Sequence, residues 1–322
     1  MSMKPRAIFY GSPAFAVPAF EALADAAEVV AVVSQPDKPA GRGQELRPPE
    51  VKLAAARRLP SVPLFQPVKI RTGELEAALR ALAPDIAVVV AYGRILHQPL
   101  LDLPPLGCWN LHASLLPHLR GAAPIQWSIM RGDQETGVSL MRMEAGLDTG
   151  PVAATVRCPI AADDTTGTLS PRLAALGAAL LVETLPALVE GRVSLSPQDD
   201  ARATLAPLLT KEDGRLDFTA SAAAVSCRAR GVDPWPGAWT TLAKGEVLKL
   251  FRPAVGQRAA TGAVPGTVVA IDADGLHVAC GEGLIVFGEV QAPGRKRMPA
   301  LAAAAGRAFT LGQRLGDAGE GP

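Results

Sequence analysis

Asp85-Ile86-Ala87-Val88-Val89-Val90-Ala91-Tyr92 runs without a polar position between its first and last residues. A strand with one face in water alternates apolar and polar side chains. This one does not, so both of its faces are covered, as in a parallel sheet flanked by helices. Upstream, residues 7–12 form a short β-branched and aromatic run ending in Gly-Ser-Pro, and residues 29–34 form a second. An Ala/Phe/Leu-rich helical pattern over 15–26 separates them. Downstream, 107–113 and 136–144 are strand candidates, and a long helix from about 168 to 190 meets a C-terminal stop at Gly191. Strands alternating with helices predict an open, mostly parallel α/β sheet with right-handed crossovers.

The texture changes further on. Residues 194–209 are polar and Pro-containing, which reads as an interdomain linker between a first domain (1–193) and a second (210–322). The second carries short β-type runs at 247–251, 266–271, 276–279 and 284–287, separated by Gly, Pro and Asp turns, as in a small antiparallel, OB-like barrel. A short helix is expected near 301–305, and 316–322 reads as disordered. With 322 residues, two cores are within reach.

The net charge of +1 leaves any contact with an acidic polymer to a local basic patch. No signal or transit pattern opens the chain, and Pro, Gly or charge interrupts the apolar segments, so no membrane contact is expected. Cys108, Cys158, Cys227 and Cys280 form no Cys-x-x-Cys pair. They read as core residues in a reducing cytoplasm, with no metal site. The first strand-to-helix turn, Gly11-Ser12-Pro13-Ala14-Phe15-Ala16, lacks the later glycines that let a backbone approach a pyrophosphate, and no Walker-type loop occurs.

Chemistry concentrates in Asn110-Leu111-His112-Ala113-Ser114-Leu115-Leu116-Pro117. Residues two apart on a strand share a face, so Asn110 and His112 point the same way, near the strand's carboxyl end. Histidine exchanges protons near neutral pH, and an asparagine amide can donate to a developing oxyanion. A carboxylate is available in the glycine-flanked Gly146-Leu147-Asp148-Thr149-Gly150. On spacing alone, a satisfied core histidine and a turn aspartate explain these residues equally well.

Asn110-x-His112-x-Ser114-Leu115-Leu116-Pro117, followed by Leu147-Asp148-x-Gly150, resembles the signature of the formyltetrahydrofolate-dependent transformylases. The one departure, Ala113 where many relatives carry Gly, adds a methyl facing away from the pair. The resemblance implies a Rossmann-like fold, 10-formyltetrahydrofolate as donor, and catalytic Asn110, His112 and Asp148. It also implies that Ser114, Leu115, Leu116 and Pro117 border the folate, and that Arg94, Ile95 and Leu96, in Ala91-Tyr92-Gly93-Arg94-Ile95-Leu96, line the pterin pocket.

Four further segments are similar to those of members whose acceptor is methionyl initiator tRNA. They are Gln35-Pro36-Asp37-Lys38-Pro39-Ala40-Gly41-Arg42-Gly43, Arg120-Gly121-Ala122-Ala123-Pro124-Ile125-Gln126, Glu135-Thr136-Gly137-Val138 and Pro234-Trp235-Pro236-Gly237-Ala238-Trp239. Lys38, Arg42 and Arg47, on an expected long loop over 36–49, are candidate phosphate contacts, as are Arg295, Lys296 and Arg297 in the barrel. Trp235 and Trp239 read as structural, and the protein as a monomer. Formyl transfer to an amino-sugar nucleotide, and a non-catalytic RNA-binding protein on the same scaffold, are the competing readings.

Overall fold

The computed structural model describes residues 4–40, 45–243, 245–256 and 262–316. The expected disorder beyond 316 and the candidate contact Arg42 lie outside them. Two compact units form, each from separate stretches of chain. The first comprises Met1–Pro124, Glu135–Pro159 and Ser170–Pro207; the second comprises Ile125–Gln134, Ile160–Leu169 and Leu208–Pro322.

In chain order the elements of the first half are β1 (Arg6–Gly11), α1 (Val17–Ala26), β2 (Glu28–Val33), β3 (Lys38–Ala40), β4 (Glu45–Arg47), α2 (Glu50–Arg58), β5 (Leu64–Phe65) and α3 (Glu74–Ala81). Then come β6 (Ile86–Val90), α4 (Gln98–Leu101), β7 (Cys108–His112), α5 (Pro124–Met130), β8 (Glu135–Arg142), β9 (Val152–Pro159) and α6 (Thr166–Val189). Seven strands form one sheet in the order β5-β2-β1-β6-β7-β8-β9. The first five are parallel, and β8 and β9 are added antiparallel. The order reverses between β1 and β6, and such a switch point opens a crevice at the carboxyl ends of the strands.

The unbroken apolar runs exist because helices cover both faces. Ile8, Tyr10, Ala87 and Val89 face a core that includes Leu75 and Leu79 of α3 and Leu100 of α4. Phe9, one residue out of phase, turns to the other face and meets Phe20 of α1, ring centroids 5.4 Å apart. On β7 the same alternation sends Cys108 to the α4 side, and with it Asn110 and His112. Leu111 points oppositely, toward α6, where Gly177 permits close approach: a methyl there would lie 3.3 Å from Val138 and 3.8 Å from Leu111.

By length and composition α6 could cross a membrane, contrary to the expectation that Pro, Gly or charge interrupts every apolar segment. Its apolarity has a local cause, since Leu173, Leu181, Leu185 and Leu188 are buried in the fold. The expected loop over 36–49 is largely a hairpin, with Lys38 paired to Arg47 and Pro39 to Leu46. Lys52 ties the hairpin's base, its Nζ 2.8 Å from Asp37 Oδ2 and 2.9 Å from Gln66 Oε1.

The stretch expected to be a linker packs against the first unit instead. Ser196 exchanges backbone hydrogen bonds with Val152, and Ala206 N donates to Arg120 O at 2.8 Å.

The second unit contains α7 (Ala222–Gly231), β10 (Trp239–Thr241), β11 (Val247–Val255), β12 (Val268–Ile271), β13 (Leu276–Ala279), β14 (Leu284–Gln291), β15 (Met298–Pro299) and α8 (Ala300–Ala305). Its strands form an antiparallel half-barrel in the order β10-β11-β14-β13-β12, with β15 paired to β14. Trp239 is structural, donating from Nε1 to Lys211 O at 2.9 Å. Trp235, expected to be structural as well, is 52% exposed.

Candidate active site

β7 ends at His112, and the chain beyond it folds back across the carboxyl edge of the sheet. Ser139 on β8 secures this return: its hydroxyl donates to Ser114 O at 2.7 Å and accepts from Leu116 N at 3.2 Å. Ser114 is fully buried and donates to His118 O at 2.6 Å. Its hydroxyl is therefore spent on loop structure, while Leu115, Leu116 and Pro117 are only partly covered.

His112 is 6% exposed. Its Nε2 lies 2.9 Å from the Leu119 carbonyl oxygen. A carbonyl only accepts, so Nε2 carries a hydrogen, and Nδ1 is the nitrogen left to gain or lose a proton. Nδ1 sits 3.6 Å from Asp148 Oδ2, an ion-pair separation rather than a hydrogen bond. Asn110 Nδ2 donates to Asp148 Oδ1 at 3.4 Å, which leaves its second hydrogen available. Asp148 Oδ2 also accepts from Gly121 N at 2.9 Å.

The three residues singled out in the sequence thus meet at the open end of the sheet. Asp148 reaches them from a left-handed backbone, φ 51°, unusual for a residue with a Cβ.

The segment after β6 contributes unevenly. Arg94 donates to Val68 O at 2.7 Å and to Gln35 Oε1 at 3.3 Å, joining neighbouring loops. Ile95 is 67% exposed, whereas Leu96 is buried with Leu100 and Leu101. Beneath the segment, burial pushes the Tyr10 and Tyr92 phenols upward, so both stay neutral. A cavity of about 420 Å³ lies beside the loop after β7, lined by Leu116, Pro117, Thr155, Gln198 and Arg202 among others.

The basic candidates also divide. Lys38 and Arg47 are exposed on the hairpin. In the second unit Arg295 and Lys296 are exposed, whereas Arg297 pairs with Glu289 and lies over the Phe251 ring at 4.2 Å.

Sequence reasoning missed Leu119, Gly121, Ser139 and Gln198. Each acts through a backbone group or a side chain whose type carries no signal by itself.

An amide donor, an imidazole with one free nitrogen and a carboxylate, gathered at the carboxyl edge of a Rossmann-like sheet, suit an acyl-transfer enzyme. Residues 8–185 match the formyl transferase family model, and 208–308 match the formyl transferase C-terminal domain. The methionyl-tRNA formyltransferase of Trichlorobacter lovleyi is 48% identical over 96% of each chain. That of Myxococcus xanthus is 51% identical over 92% of this chain and 93% of its own. The chain belongs to the formyl transferase family, among the methionyl-tRNA formyltransferases. Solved structures share the fold at low identity. An N-formyltransferase from Helicobacter canadensis superposes with a TM-score of 0.64 at 16% identity, over 88% of this chain and 99% of its own. HypX from Aquifex aeolicus gives 0.64 at 16% identity over 95% of this chain, which spans about half (49%) of HypX.

Proposed function

We propose that the protein transfers the formyl group of 10-formyltetrahydrofolate to the α-amine of methionyl initiator tRNA, with Asn110, His112 and Asp148 as its catalytic residues. The observation that carries this reading is the meeting of Asn110, His112 and Asp148 around one carboxylate. The amine's lone pair attacks the formyl carbon, a C–N bond forms, and the carbonyl electrons move to oxygen. Asn110 donates its second amide hydrogen to that oxyanion. His112 Nδ1 takes the proton that the attacking nitrogen must lose, and Asp148 steadies the resulting imidazolium. The carbonyl re-forms as the bond to N10 breaks, and the proton passes to N10, releasing tetrahydrofolate.

Leu115, Leu116, Pro117, Arg94 and Ile95 frame the donor. Residues 1–193 carry the chemistry, and Lys38, Arg42, Arg47, Arg295 and Lys296 meet tRNA phosphates. The protein acts in the cytoplasm as a monomer, without a membrane. The test supplies purified protein and 10-formyltetrahydrofolate with charged initiator tRNA, an amino-sugar nucleotide, or water alone. Formylmethionyl-tRNA is the expected main product. Faster transfer to the sugar or to water would overturn the assignment.

A further inference from the structure

Gln198 lies in the stretch whose composition suggested a linker, yet its amide is fully engaged beside Asp148. Its Nε2 donates to Asp148 O at 2.8 Å and to Gly150 O at 2.7 Å. Its Oε1 accepts from Arg120 Nε at 3.0 Å and Nη2 at 2.9 Å. Arg120, 7% exposed, is held in turn by Asp200 Oδ1 at 2.7 Å. A guanidinium offers only donors, so it fixes which end of the amide faces it and turns the NH₂ toward the two carbonyls. The backbone these carbonyls belong to is the left-handed turn at Asp148, φ 51°. A non-glycine residue keeps that conformation only where its surroundings over-determine it. The Asp148 carboxylate leaves the same turn to meet Asn110, His112 and Gly121 N.

We propose that Gln198, oriented by Arg120, is a positioning residue for the transfer reaction: it locks the Asp148 turn so that the carboxylate faces His112 Nδ1. Residues 196–206 are then a strap of the active site. The same strap fixes the opposite side of the imidazole. Thr204 Oγ1 accepts from Leu119 N at 2.9 Å, and Leu119 O is the acceptor for His112 Nε2.

The proposal rests on Asp148 being catalytic, and a double-mutant cycle separates the two claims. Gln198→Glu keeps an acceptor for Arg120 but loses both donations. In the parent background it is expected to lower kcat on the order of 10- to 100-fold, as displaced catalytic groups do, with KM for both substrates little changed. Because Gln198 acts through Asp148, the same change in an Asp148→Ala background should lower kcat by no more than about 2-fold. Circular dichroism melts of each variant report folding, and Gln198→Met, which removes both the donors and the acceptor, supplies a second route if Gln198→Glu fails to fold. Parent-like kcat in a folded Gln198 variant, or an undiminished loss in the Asp148→Ala background, overturns the positioning role. Full activity of Asp148→Ala alone overturns the catalytic assignment instead.

Discussion

His112 and Leu119 are joined by a hydrogen bond of 2.9 Å from the ring Nε2 to the backbone carbonyl, across the loop that follows β7. The bond sets the ring's tautomer and points Nδ1 toward Asp148. A backbone carbonyl cannot be removed by a side-chain change, but its position can. Leu119 itself sits at φ 60°, and Gly121, two residues on, at φ 120°.

Gly121 is a sensitive point in that loop. A Cβ there would lie 2.7 Å from Ala206 O, in a backbone conformation that L side chains rarely adopt. Gly121→Ala is expected to cost about 1–3 kcal/mol. It should also weaken transfer, because Gly121 N holds Asp148. Thermal unfolding and steady-state kinetics on the same preparation check both effects, and an unchanged Tm would contradict the first.

The proposed function assigns Lys38 and Arg47 to tRNA, while Arg297 is engaged with Glu289 and Phe251. Lys38→Ala and Arg47→Ala should each raise KM for methionyl-tRNA and reduce the log–log salt slope by about 1, leaving folate affinity alone. Arg297→Ala removes a cation–π contact worth about 0.5–1 kcal/mol at an exposed site. It should lower Tm slightly while KM for tRNA stays put. A KM effect from Arg297→Ala larger than from Lys38→Ala would reverse the division.

The hairpin's base carries a pH dependence. Hydrogen bonds from Lys52 and then Gln66 hold the Asp37 carboxyl below its ordinary value of 3.8. A depressed carboxylate stabilises the folded state above its unfolded pKa, and that contribution is lost as pH falls through the lower folded value. An NMR titration of Asp37 should therefore show a midpoint below 3.8, rising toward it in Lys52→Met. An unmoved midpoint would mean that Lys52 is not the cause.

The cysteines differ in reactivity. Burial, helped by Asp102, pushes the Cys108 thiol up to about 12, and burial pushes Cys280 to about 11. Both should resist a thiol-specific reagent in the folded protein and react on unfolding. Cys227, which is only partly covered, should react first. Mass mapping of a timed labelling reaction identifies the order, and early labelling of Cys108 would contradict it.

Much of this architecture is written in local pattern. The all-apolar residues 86–90 had to be covered on both faces, and they became β6 at the centre of the seven-stranded sheet. The two-residue spacing of Asn110 and His112 put them on one face. Asp148 was legible as a carboxylate on a glycine-flanked turn.

Residues 196–206 were not legible. Polar, Pro-containing sequence looks the same whether it floats between domains or hydrogen-bonds to a distant loop, and the partners of Gln198 are 48 to 78 positions away. The hairpin of β3 and β4 was hidden for a similar reason, since three-residue strands carry too little periodicity to register. That Leu96 is buried with Leu100 and Leu101 carries no local signal either, because it depends on how the segment after β6 packs on α4.

The central claim is that Asn110, His112 and Asp148 act on the transfer step and do not hold the folate. Single-turnover formylation of methionyl-tRNA by His112→Ala and Asp148→Asn, with 10-formyltetrahydrofolate binding measured by calorimetry on the same proteins, tests it most directly. The transfer rate is expected to fall by at least about 100-fold in each, while folate affinity stays within a few-fold of the parent. Near-parental rates, or a loss wholly accounted for by weakened folate binding, would contradict it.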